Sequence, residues 1–281
     1  MSAGPAFLGI GAIKSATTWC AETLATHPEI FIAHGKEINY FTSEFERGNA
    51  WYLEHFARVG HRVAGEFSVS YLSRSRVAAP RIAAFNPLIK LVAVLRDPVD
   101  RAFSEYRWKR QRGEADCSFM QAIDQYPGLV HNGKYFECLT PFLEHFPREQ
   151  LFLLRQDDIR NNAVNVAQQL YSFLGIDEDF VPRNIDKTVG KTIESRSKTL
   201  ERQRIAVHGW LKRHHLGRLI TFYKQLRLSD LYRALNAKRV SIPVLTLEER
   251  NNLIEFFRDD LAALQKETGL QTDDWITRNL A

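Results

Sequence analysis

Short apolar runs alternate with segments of helical periodicity along the first two thirds of the chain. Runs of about 4–8 apolar or β-branched residues are typical of buried strands, and apolar positions three and four residues apart are typical of helices. The runs cover residues 7–13, 62–69, 88–95 and 150–156, and helices are predicted at 17–26, 99–112, 135–146 and 163–174, the last ending before Gly175. This alternation predicts an α/β fold in which a parallel sheet is flanked by helices.

Long helical stretches replace this alternation from about residue 195. A linker is predicted at 238–244, and Thr246 with Glu249 then matches a capping box, which predicts a helix that continues to about residue 264. No internal repeat or low-complexity segment is visible, so a solenoid is not indicated. We interpret the last third of the chain as a helical C-terminal layer of a single domain that spans residues 1–281.

The composition is that of a globular protein, with 44% hydrophobic and 25% charged residues. The three cysteines, Cys20, Cys117 and Cys138, show no paired spacing, so neither a disulfide framework nor a zinc site is indicated. The net charge of +5 is compatible with an anionic ligand, a nucleic acid or a membrane surface. Without a leader pattern or an apolar run of about 18 residues, the sequence predicts a cytoplasmic protein with no membrane span.

The loop after the first predicted strand has the features of a phosphate-binding site. Its sequence GAIKSATTW contains Lys14, Ser15, Ala16, Thr17, Thr18 and Trp19. Backbone N–H groups at a helix N-terminus, hydroxyl groups and a lysine together favour an anion, and Trp19 is placed to stack on a base. Ile13 stands where a nucleotide triphosphatase loop has its last glycine, which disfavours an ordinary ATPase or kinase loop. The alternative is that the hydroxyl residues only cap the helix while Lys14 is a solvated charge.

A later segment, LVAVLRDPVDRAFSEYRW, places Arg96 at the end of a strand and Ser104 two turns into the helix that follows. A guanidinium and a hydroxyl can together hold a phosphate group. The alternatives are a salt bridge from Arg96 to Asp97 or Asp100 and a back-bond of Ser104 within its helix. Considered with the first loop, the segment suggests a ligand with two separate phosphate groups.

The segment HGKEINYF, at 34–41, places Lys36 and Glu37 beside two aromatic residues. The carboxylate of Glu37 is a candidate general base, and the alternative is a surface carboxylate paired with Lys36.

The three segments resemble the sulfotransferase family that uses 3′-phosphoadenosine 5′-phosphosulfate (PAPS), especially its bacterial and glycosaminoglycan sulfotransferase branch. GAIKSATTW is similar to the family's 5′-phosphosulfate loop, KEINYF to its K-E-x-x-[FY]-F segment, and LRDPVDRAFSEY to its 3′-phosphate motif. Their order and spacing agree with the family, and a weaker similarity begins at GEFSVSYL, residues 65–72. The resemblance implies a P-loop-like fold, PAPS as cosubstrate, 3′-phosphoadenosine 5′-phosphate (PAP) as product, and no metal.

The resemblance also implies roles for individual residues. Lys14 would contact the 5′-phosphosulfate and stabilise the leaving phosphate oxygen, Glu37 would be the general base, and Arg96 with Ser104 would hold the 3′-phosphate. The other implied donor-binding residues are Ser15, Ala16, Thr17 and Thr18 in the loop, Trp19 beside the adenine, Tyr135 lining the nucleotide pocket, and Arg196 or Lys198 closing over the 3′-phosphate.

The acceptor site departs from the family pattern. Members that act on sulfated polysaccharides often carry a histidine two residues after the base and a lysine in the segment G-E-K-S-P. This sequence has Asn39 at the position of the histidine and Phe67 at that of the lysine, and Val69 stands where the segment has its proline. The loss of basic groups argues mildly against a highly anionic polysaccharide and leaves small-molecule, lipid and glycan acceptors open. The sequence does not distinguish O- from N-sulfation, and it does not give the oligomeric state.

Two other functions fit parts of the sequence. A small-molecule kinase would use a degenerate phosphate loop with magnesium, although Ile13 and the lack of a clear strand-terminal aspartate oppose it. A non-catalytic polyanion-binding module would use the basic residues between 202 and 239. We prefer the interpretation that apolar residues of this stretch pack on the core while its basic residues face solvent, so no nucleic acid partner is expected.

Overall fold

Five parallel strands form one sheet in the structure, a computed structural model that describes residues 4–33, 37–57, 59–60, 62–182, 185 and 243–278. The strands are β1 (Phe7–Gly11), β2 (Ile30–Ile32), β3 (Val63–Phe67), β4 (Lys90–Leu95) and β5 (Leu151–Arg155), in the order β2-β3-β1-β4-β5. The four predicted strands are confirmed. The fifth, β2, was not predicted, because a run of three residues is too short to be recognised as a strand. Because all pairs are parallel, the loops that follow the strands lie along one edge of the sheet.

Helices follow or separate the strands throughout the described residues. They are α1 (Thr17–Thr26), α2 (Gly48–Glu54), α3 (Ser70–Ser73), α4 (Ser75–Phe85), α5 (Pro98–Gln111), α6 (Phe119–Gln125), α7 (Gly128–His131), α8 (Tyr135–His145), α9 (Gln156–Asn161), α10 (Ala163–Leu174), α11 (Leu247–Ile254), α12 (Arg258–Thr268) and α13 (Asp273–Thr277). The helices predicted at 17–26, 99–112, 135–146 and 163–174 correspond to α1, α5, α8 and α10, so the predicted parallel sheet flanked by helices is confirmed.

One hydrophobic cluster joins the sheet to α1 and α10. Phe7 and Phe67 from the strands, Leu24 from α1 and Leu170 from α10 are all fully buried in it. Gly9 makes this packing possible, because a Cβ at that position would lie 1.9 Å from the Phe67 ring. The sheet core therefore fixes β1 and β3 side by side, directly before the two loops that carry Lys14 and the residues after Phe67.

The helix predicted from residue 247 to about residue 264 is instead two helices. Its capping box is confirmed, because the Thr246 hydroxyl accepts from the Glu249 backbone N–H and the Glu249 side chain accepts from the Thr246 N–H. The chain then turns at 255–257, which brings Phe257 against Gly133, where a Cβ would lie 2.7 Å from the ring. Burial of Phe257 thus overrides the continuous helical pattern of the sequence.

The chain forms two compact units. The first comprises Met1–Ala102, Pro127–Gly190 and Thr246–Ala281 and contains the sheet. The second comprises Phe103–Tyr126 and Lys191–Leu245, of which residues 103–126 and 243–245 are described. In this second unit the rings of Phe103 and Phe119 meet edge to face, with centroids 5.0 Å apart. The single domain over 1–281 stays a prediction, and the linker at 238–244 and the basic stretch at 202–239 lie wholly or mostly outside the described residues.

Candidate active site

The loop between β1 and α1 has a backbone shaped for an anion. Lys14 and Ala16 both have φ of +66°, in the left-handed region, and alternation of left-handed and ordinary residues turns successive N–H groups toward one side. α1 begins at Thr17 with Ala16 as its N-cap, and the alanine side chain cannot cap the helix. Capping by other hydroxyl residues of the loop stays an alternative, and the N–H groups and dipole of a helix N-terminus favour an anion.

The hydroxyl of Ser15 is buried inside this loop. Ser15 is fully buried, and its Oγ makes no hydrogen bond of acceptable geometry within the described part of the chain, although the Tyr135 hydroxyl is close enough to interact with it. Buried polar groups without a partner are rare in folded proteins and need an explanation. A bound anionic oxygen is one partner that would satisfy it.

Arg96, the residue after β4, reaches toward the same loop. Its Nη1 lies 3.5 Å from the Lys14 carbonyl oxygen and its Nη2 lies 3.9 Å from an Asp100 carboxylate oxygen, and both distances are long for good bonds. Its Nε has no partner among the described residues. Burial lowers the pKa of Arg96 and the nearby Asp100 carboxylate partly opposes this change. The guanidinium is thus largely removed from water with only weak pairing, as a phosphate-binding arginine would be before its ligand arrives.

Asp97 pairs with Arg250 of α11 rather than with Arg96. Arg250 donates to both Asp97 carboxylate oxygens, at 2.6 and 3.3 Å, and both side chains are buried. Asp97 also accepts from the backbone N–H groups of Val99 and Asp100 at 3.0 and 3.2 Å, which caps the start of α5. Of the two carboxylates predicted as alternative partners of Arg96, Asp100 does form a salt bridge with it, at 3.9 Å. Asp97 is instead bonded to Arg250 and to the backbone at the start of α5.

The C-terminal helices extend this ion-pair network along the ends of β4 and β5. Arg278 contacts the carboxylates of Asp97, Asp100 and Asp157, the last at 3.2 Å. The Trp275 indole donates to Asp157 at 3.0 Å. The sequence analysis missed these residues because the two parts of the network are far apart in the chain and no local motif links them.

Glu37 lies in a loop that is attached to the end of β3. Its side chain is exposed, while its backbone N–H donates to the Phe67 carbonyl at 2.8 Å. Glu37 and Asn39 have φ of +70° and +56°, and the Asn39 amide donates to the Glu37 carbonyl at 2.8 Å. This loop follows β2 and is bonded to the end of β3, whereas the Lys14 loop follows β1 and Arg96 follows β4. Since all five strands are parallel, the three segments lie along the same edge of the sheet. Lys36, the alternative partner of Glu37, lies outside the described residues.

Several residues predicted to bind the donor have other surroundings. Trp19 is buried in the hydrophobic cluster, and its indole donates to the Ile185 carbonyl at 3.0 Å, so its observed role is in the core. Tyr135 is fully buried and its hydroxyl donates to the Arg96 carbonyl at 2.7 Å, which suits support of Arg96 more than direct contact with a nucleotide. Burial raises the pKa of Tyr135 to about 12. Direct contact of either ring with the donor stays a prediction.

Two further predictions concern Ser104 and the pair Arg196 or Lys198. Ser104 lies half-buried on α5, in the second unit, and its sharing of a phosphate with Arg96 stays a prediction. Arg196 and Lys198 lie outside the described residues. Across the described ranges, no group of three or more histidine, cysteine or acidic residues is arranged to hold a metal ion.

Curated sulfotransferases are similar to this chain over much of its length. Heparan sulfate glucosamine 3-O-sulfotransferase 3B1 of Mus musculus is 29% identical over 182 residues, which cover 61% of this chain and 46% of that protein. Membrane-associated sulfotransferase kil1 of Dictyostelium discoideum is 36% identical over 278 residues, which cover 64% of this chain and 59% of that protein. The chain therefore spans about half the length of the curated relatives it matches.

The prediction of a cytoplasmic protein is wrong by these comparisons. Kil1 is a membrane-associated sulfotransferase, so membership in this group of relatives does not point to the cytoplasm. In the described part of the chain, none of the helices combines the length and the apolar character that crossing a membrane requires. The prediction failed because it rested on the absence of a leader and an apolar span in a sequence that covers only part of its relatives.

The comparison with solved structures and the comparison with protein families both point to sulfotransferases. A sulfotransferase from Alicyclobacillus acidocaldarius superposes with a TM-score of 0.68 at 24% identity, covering 97% of this chain and 99% of that chain, which shows a shared fold. Residues 5–226 match the family described as the sulfotransferase domain, and the matched range includes Lys14, Glu37 and Arg96. The resemblance seen in the sequence is confirmed, and the chain belongs to the sulfotransferase domain family.

Proposed function

We propose that this chain moves a sulfuryl group from PAPS to a hydroxyl or amine of a small-molecule, lipid or glycan acceptor and releases PAP. The observation that carries the proposal is the approach of Arg96 to the Lys14 loop, with 3.5 Å between Arg96 Nη1 and the Lys14 carbonyl. The loop offers one anion site at a helix N-terminus, and the half-buried Arg96 guanidinium offers a second. PAPS carries a 5′-phosphosulfate and a separate 3′-phosphate, which suits a site with two such parts.

The residues present fit this donor. The buried Ser15 hydroxyl lacks a good partner among the described residues, and the half-buried Arg96 guanidinium makes long contacts with the Lys14 carbonyl and Asp100. Both groups could donate a charge-assisted hydrogen bond to a phosphate oxygen, and such bonds are roughly twice as strong as neutral ones. In this proposal Lys14, Ser15, Ala16, Thr17 and Thr18 surround the 5′-phosphosulfate, and Arg96 with Ser104 holds the 3′-phosphate.

In the proposed reaction, the acceptor oxygen or nitrogen forms a bond to sulfur while the bond between sulfur and the 5′-phosphate oxygen breaks. Glu37 takes the proton of the acceptor, and Lys14 stabilises the negative charge that appears on the leaving phosphate oxygen. Sulfuryl transfer resembles phosphoryl transfer in depending on alignment and charge stabilisation more than on covalent participation by the protein. The exposed position of the Glu37 side chain is compatible with an acceptor that arrives from solvent.

The acceptor of this chain is proposed to be less anionic than heparan sulfate. Heparan sulfate glucosamine 3-O-sulfotransferases are relatives by name, and the sulfotransferases that act on such polysaccharides often carry a lysine where this chain has Phe67. Phe67 is fully buried against Phe7, with ring centroids 6.3 Å apart. The position therefore belongs to the core, and a cation there could not meet an acceptor without disrupting the packing around Gly9.

Calorimetric titration with PAP, AMP and magnesium-ATP tests the donor site. We expect PAP to bind more tightly than AMP, because only PAP carries a 3′-phosphate for Arg96. Preference for magnesium-ATP would instead support the kinase, and salt-sensitive heparin binding with no nucleotide binding would support the polyanion-binding module. With PAP binding established, a screen of hydroxyl and amine acceptors for PAP release from PAPS would identify the acceptor class.

A further inference from the structure

Glu66, a fully buried carboxyl in β3, lies beneath the loop that carries Glu37. Its oxygens accept from three side-chain hydroxyls, those of Tyr71 at 2.5 Å, Ser68 at 2.6 Å and Tyr52 at 3.4 Å. The backbone N–H of Ile38 is a fourth donor. Four donors that converge on one carboxyl suit its ionised form, which only accepts hydrogen bonds.

The end of β3 also holds the Glu37 loop through backbone N–H groups of the loop. Glu37 N–H donates to the Phe67 carbonyl at 2.8 Å, and Asn39 N–H donates to the Ser68 hydroxyl at 2.9 Å. Ser68 in turn donates to Glu66, so Asn39 is linked to the carboxyl through one hydroxyl, while Ile38 is linked to it directly.

These hydrogen bonds hold the Glu37 loop in a backbone conformation that would otherwise be unfavourable. Glu37 and Asn39, on either side of Ile38, both lie in the left-handed region. Asparagine adopts it readily, whereas a glutamate does so at a cost and needs the surrounding structure to hold it. The Ser70 hydroxyl adds a bond of 2.6 Å to the Asn39 side chain. The direction of the Glu37 side chain thus depends on bonds that start at Glu66 and its neighbours.

We propose that Glu66 is a positioning residue for sulfuryl transfer, and that its ionised carboxylate fixes the backbone of the loop that presents Glu37 to the acceptor. This inference rests on the proposed function, in which Glu37 is the base. Glu66 itself touches neither substrate, because it is fully buried beneath the loop.

Protonation of Glu66 would weaken this arrangement within an accessible pH range. Burial raises the pKa of Glu66 to about 7, and the bonds from Ser68, Tyr71, Tyr52 and Ile38 oppose the rise. The titratable groups that face it are Tyr52 on α2 and Tyr71 on α3, and burial together with the Glu66 charge raises the pKa of both above 10. Of these three groups, only Glu66 changes its charge near neutral pH.

Glu66→Gln is the first test, with PAP release from PAPS measured with water as the acceptor. The amide keeps the size of the side chain but brings two N–H donors to a place where four donors already converge. We expect kcat to fall by about 10²-fold, as expected when a catalytic group is misplaced by about 1 Å, while PAP affinity stays unchanged and Glu66→Asp recovers part of the loss. A wild-type kcat in Glu66→Gln would overturn the proposal. Failure of the wild-type chain to bind PAP would instead count against the proposed function.

Tyr71→Phe tests the same inference without removing the carboxyl. Loss of this donor raises the pKa of Glu66 further, so the acid limb of the kcat profile and the pH midpoint of the Ile38 amide chemical shift should both move to higher pH. Tyr171→Phe is the matched control, since Tyr171 is an equally buried tyrosine on α10 whose hydroxyl has no partner among the described residues. An Ile38 amide that does not titrate, or a Tyr71→Phe profile that superposes on that of wild type, would contradict the proposal.

Discussion

At the residue scale, backbone conformation decides where the anion-binding groups of this chain point. Lys14 and Ala16 adopt φ of +66° without being glycine, a conformation that costs about 1–3 kcal/mol per residue and persists only where other contacts hold it. The sequence predicted an anion loop here from its hydroxyls, its lysine and its place before a helix. It could not predict these backbone angles, because neither residue type favours them.

We predict that Glu37→Gln lowers turnover by about 10²- to 10⁴-fold through loss of the proton acceptor, and that Lys14→Ala lowers it by about 10²- to 10³-fold through loss of charge stabilisation. Initial rates of PAP release from PAPS measure both effects. Glu144→Gln, which changes an exposed glutamate on α8, is the control and should keep the wild-type rate. Wild-type turnover in Glu37→Gln would show that another group accepts the proton.

Arg96→Ala is expected to weaken PAP binding while AMP binding stays the same, because AMP has no 3′-phosphate. A hydrogen bond to a charged group contributes about 1.5–3 kcal/mol, so PAP affinity should fall by about 10- to 100-fold, as calorimetry would measure. Arg258→Ala removes an exposed arginine that pairs with Glu255, three residues before it, and serves as the control. Equal losses for PAP and AMP in Arg96→Ala would place Arg96 elsewhere on the donor.

At the scale of elements, hydrophobic periodicity predicts the long helices well but does not predict the tertiary contacts between elements. α1 and α10 follow the sequence pattern because each has one face in the same hydrophobic cluster. The break between α11 and α12 follows from the burial of Phe257, which no local pattern encodes. The link from Asp97 to Arg250 is likewise a tertiary contact, between residues that carry no motif in common.

Arg250→Met should lower the free energy of unfolding by about 3–5 kcal/mol. It removes both hydrogen bonds that Arg250 donates to the buried Asp97 carboxylate and leaves that charge with the longer contact to Arg278, at 3.8 Å. Burial already raises the pKa of Asp97, and the bonds from Arg250 oppose this rise. Adding Asp97→Asn removes the unpaired charge and should recover part of the loss, since the asparagine oxygen can still cap α5. Urea unfolding of wild type, both single variants and the double variant completes the cycle. Losses of the two single variants that simply add in the double variant would show that the pair is not coupled.

At the scale of the whole molecule, the sequence was sufficient for the fold class and the family but not for the compartment or the acceptor. The position of the Lys14 loop and Arg96 at one edge follows from local patterns, because parallel strands bring the loops that follow them to the same edge. The order of the strands in the sheet was not predicted, since it depends on tertiary packing. Glu66 was hidden in a segment that sequence analysis used only as a weak similarity, since burial and converging hydroxyls appear only after α2, α3 and β3 have packed together.

The stability of the molecule should depend on pH through Glu66. Its pKa is about 7 in the folded chain against an ordinary value of 4.5, so between these values the folded chain binds more protons than the unfolded chain. The free energy of unfolding therefore falls as pH rises through this range, by about 3 kcal/mol for this group, and is level above it. Urea unfolding of wild type and Glu66→Gln at pH 5 and 8 isolates the effect. A stability difference between the two proteins that does not change with pH would contradict it.

The Asp97–Arg250 pair also has a consequence for how the protein is made. Arg250 lies 153 residues after Asp97, and at about 5–20 residues per second a ribosome needs roughly 8–30 s to synthesise that interval. Until α11 emerges, β4 can join the sheet, but the Asp97 carboxylate must stay hydrated, and the segment that positions Arg96 lacks its support. The second anion site is therefore completed late, and an incomplete nascent chain that already has its Lys14 loop is not expected to hold a nucleotide through its 3′-phosphate.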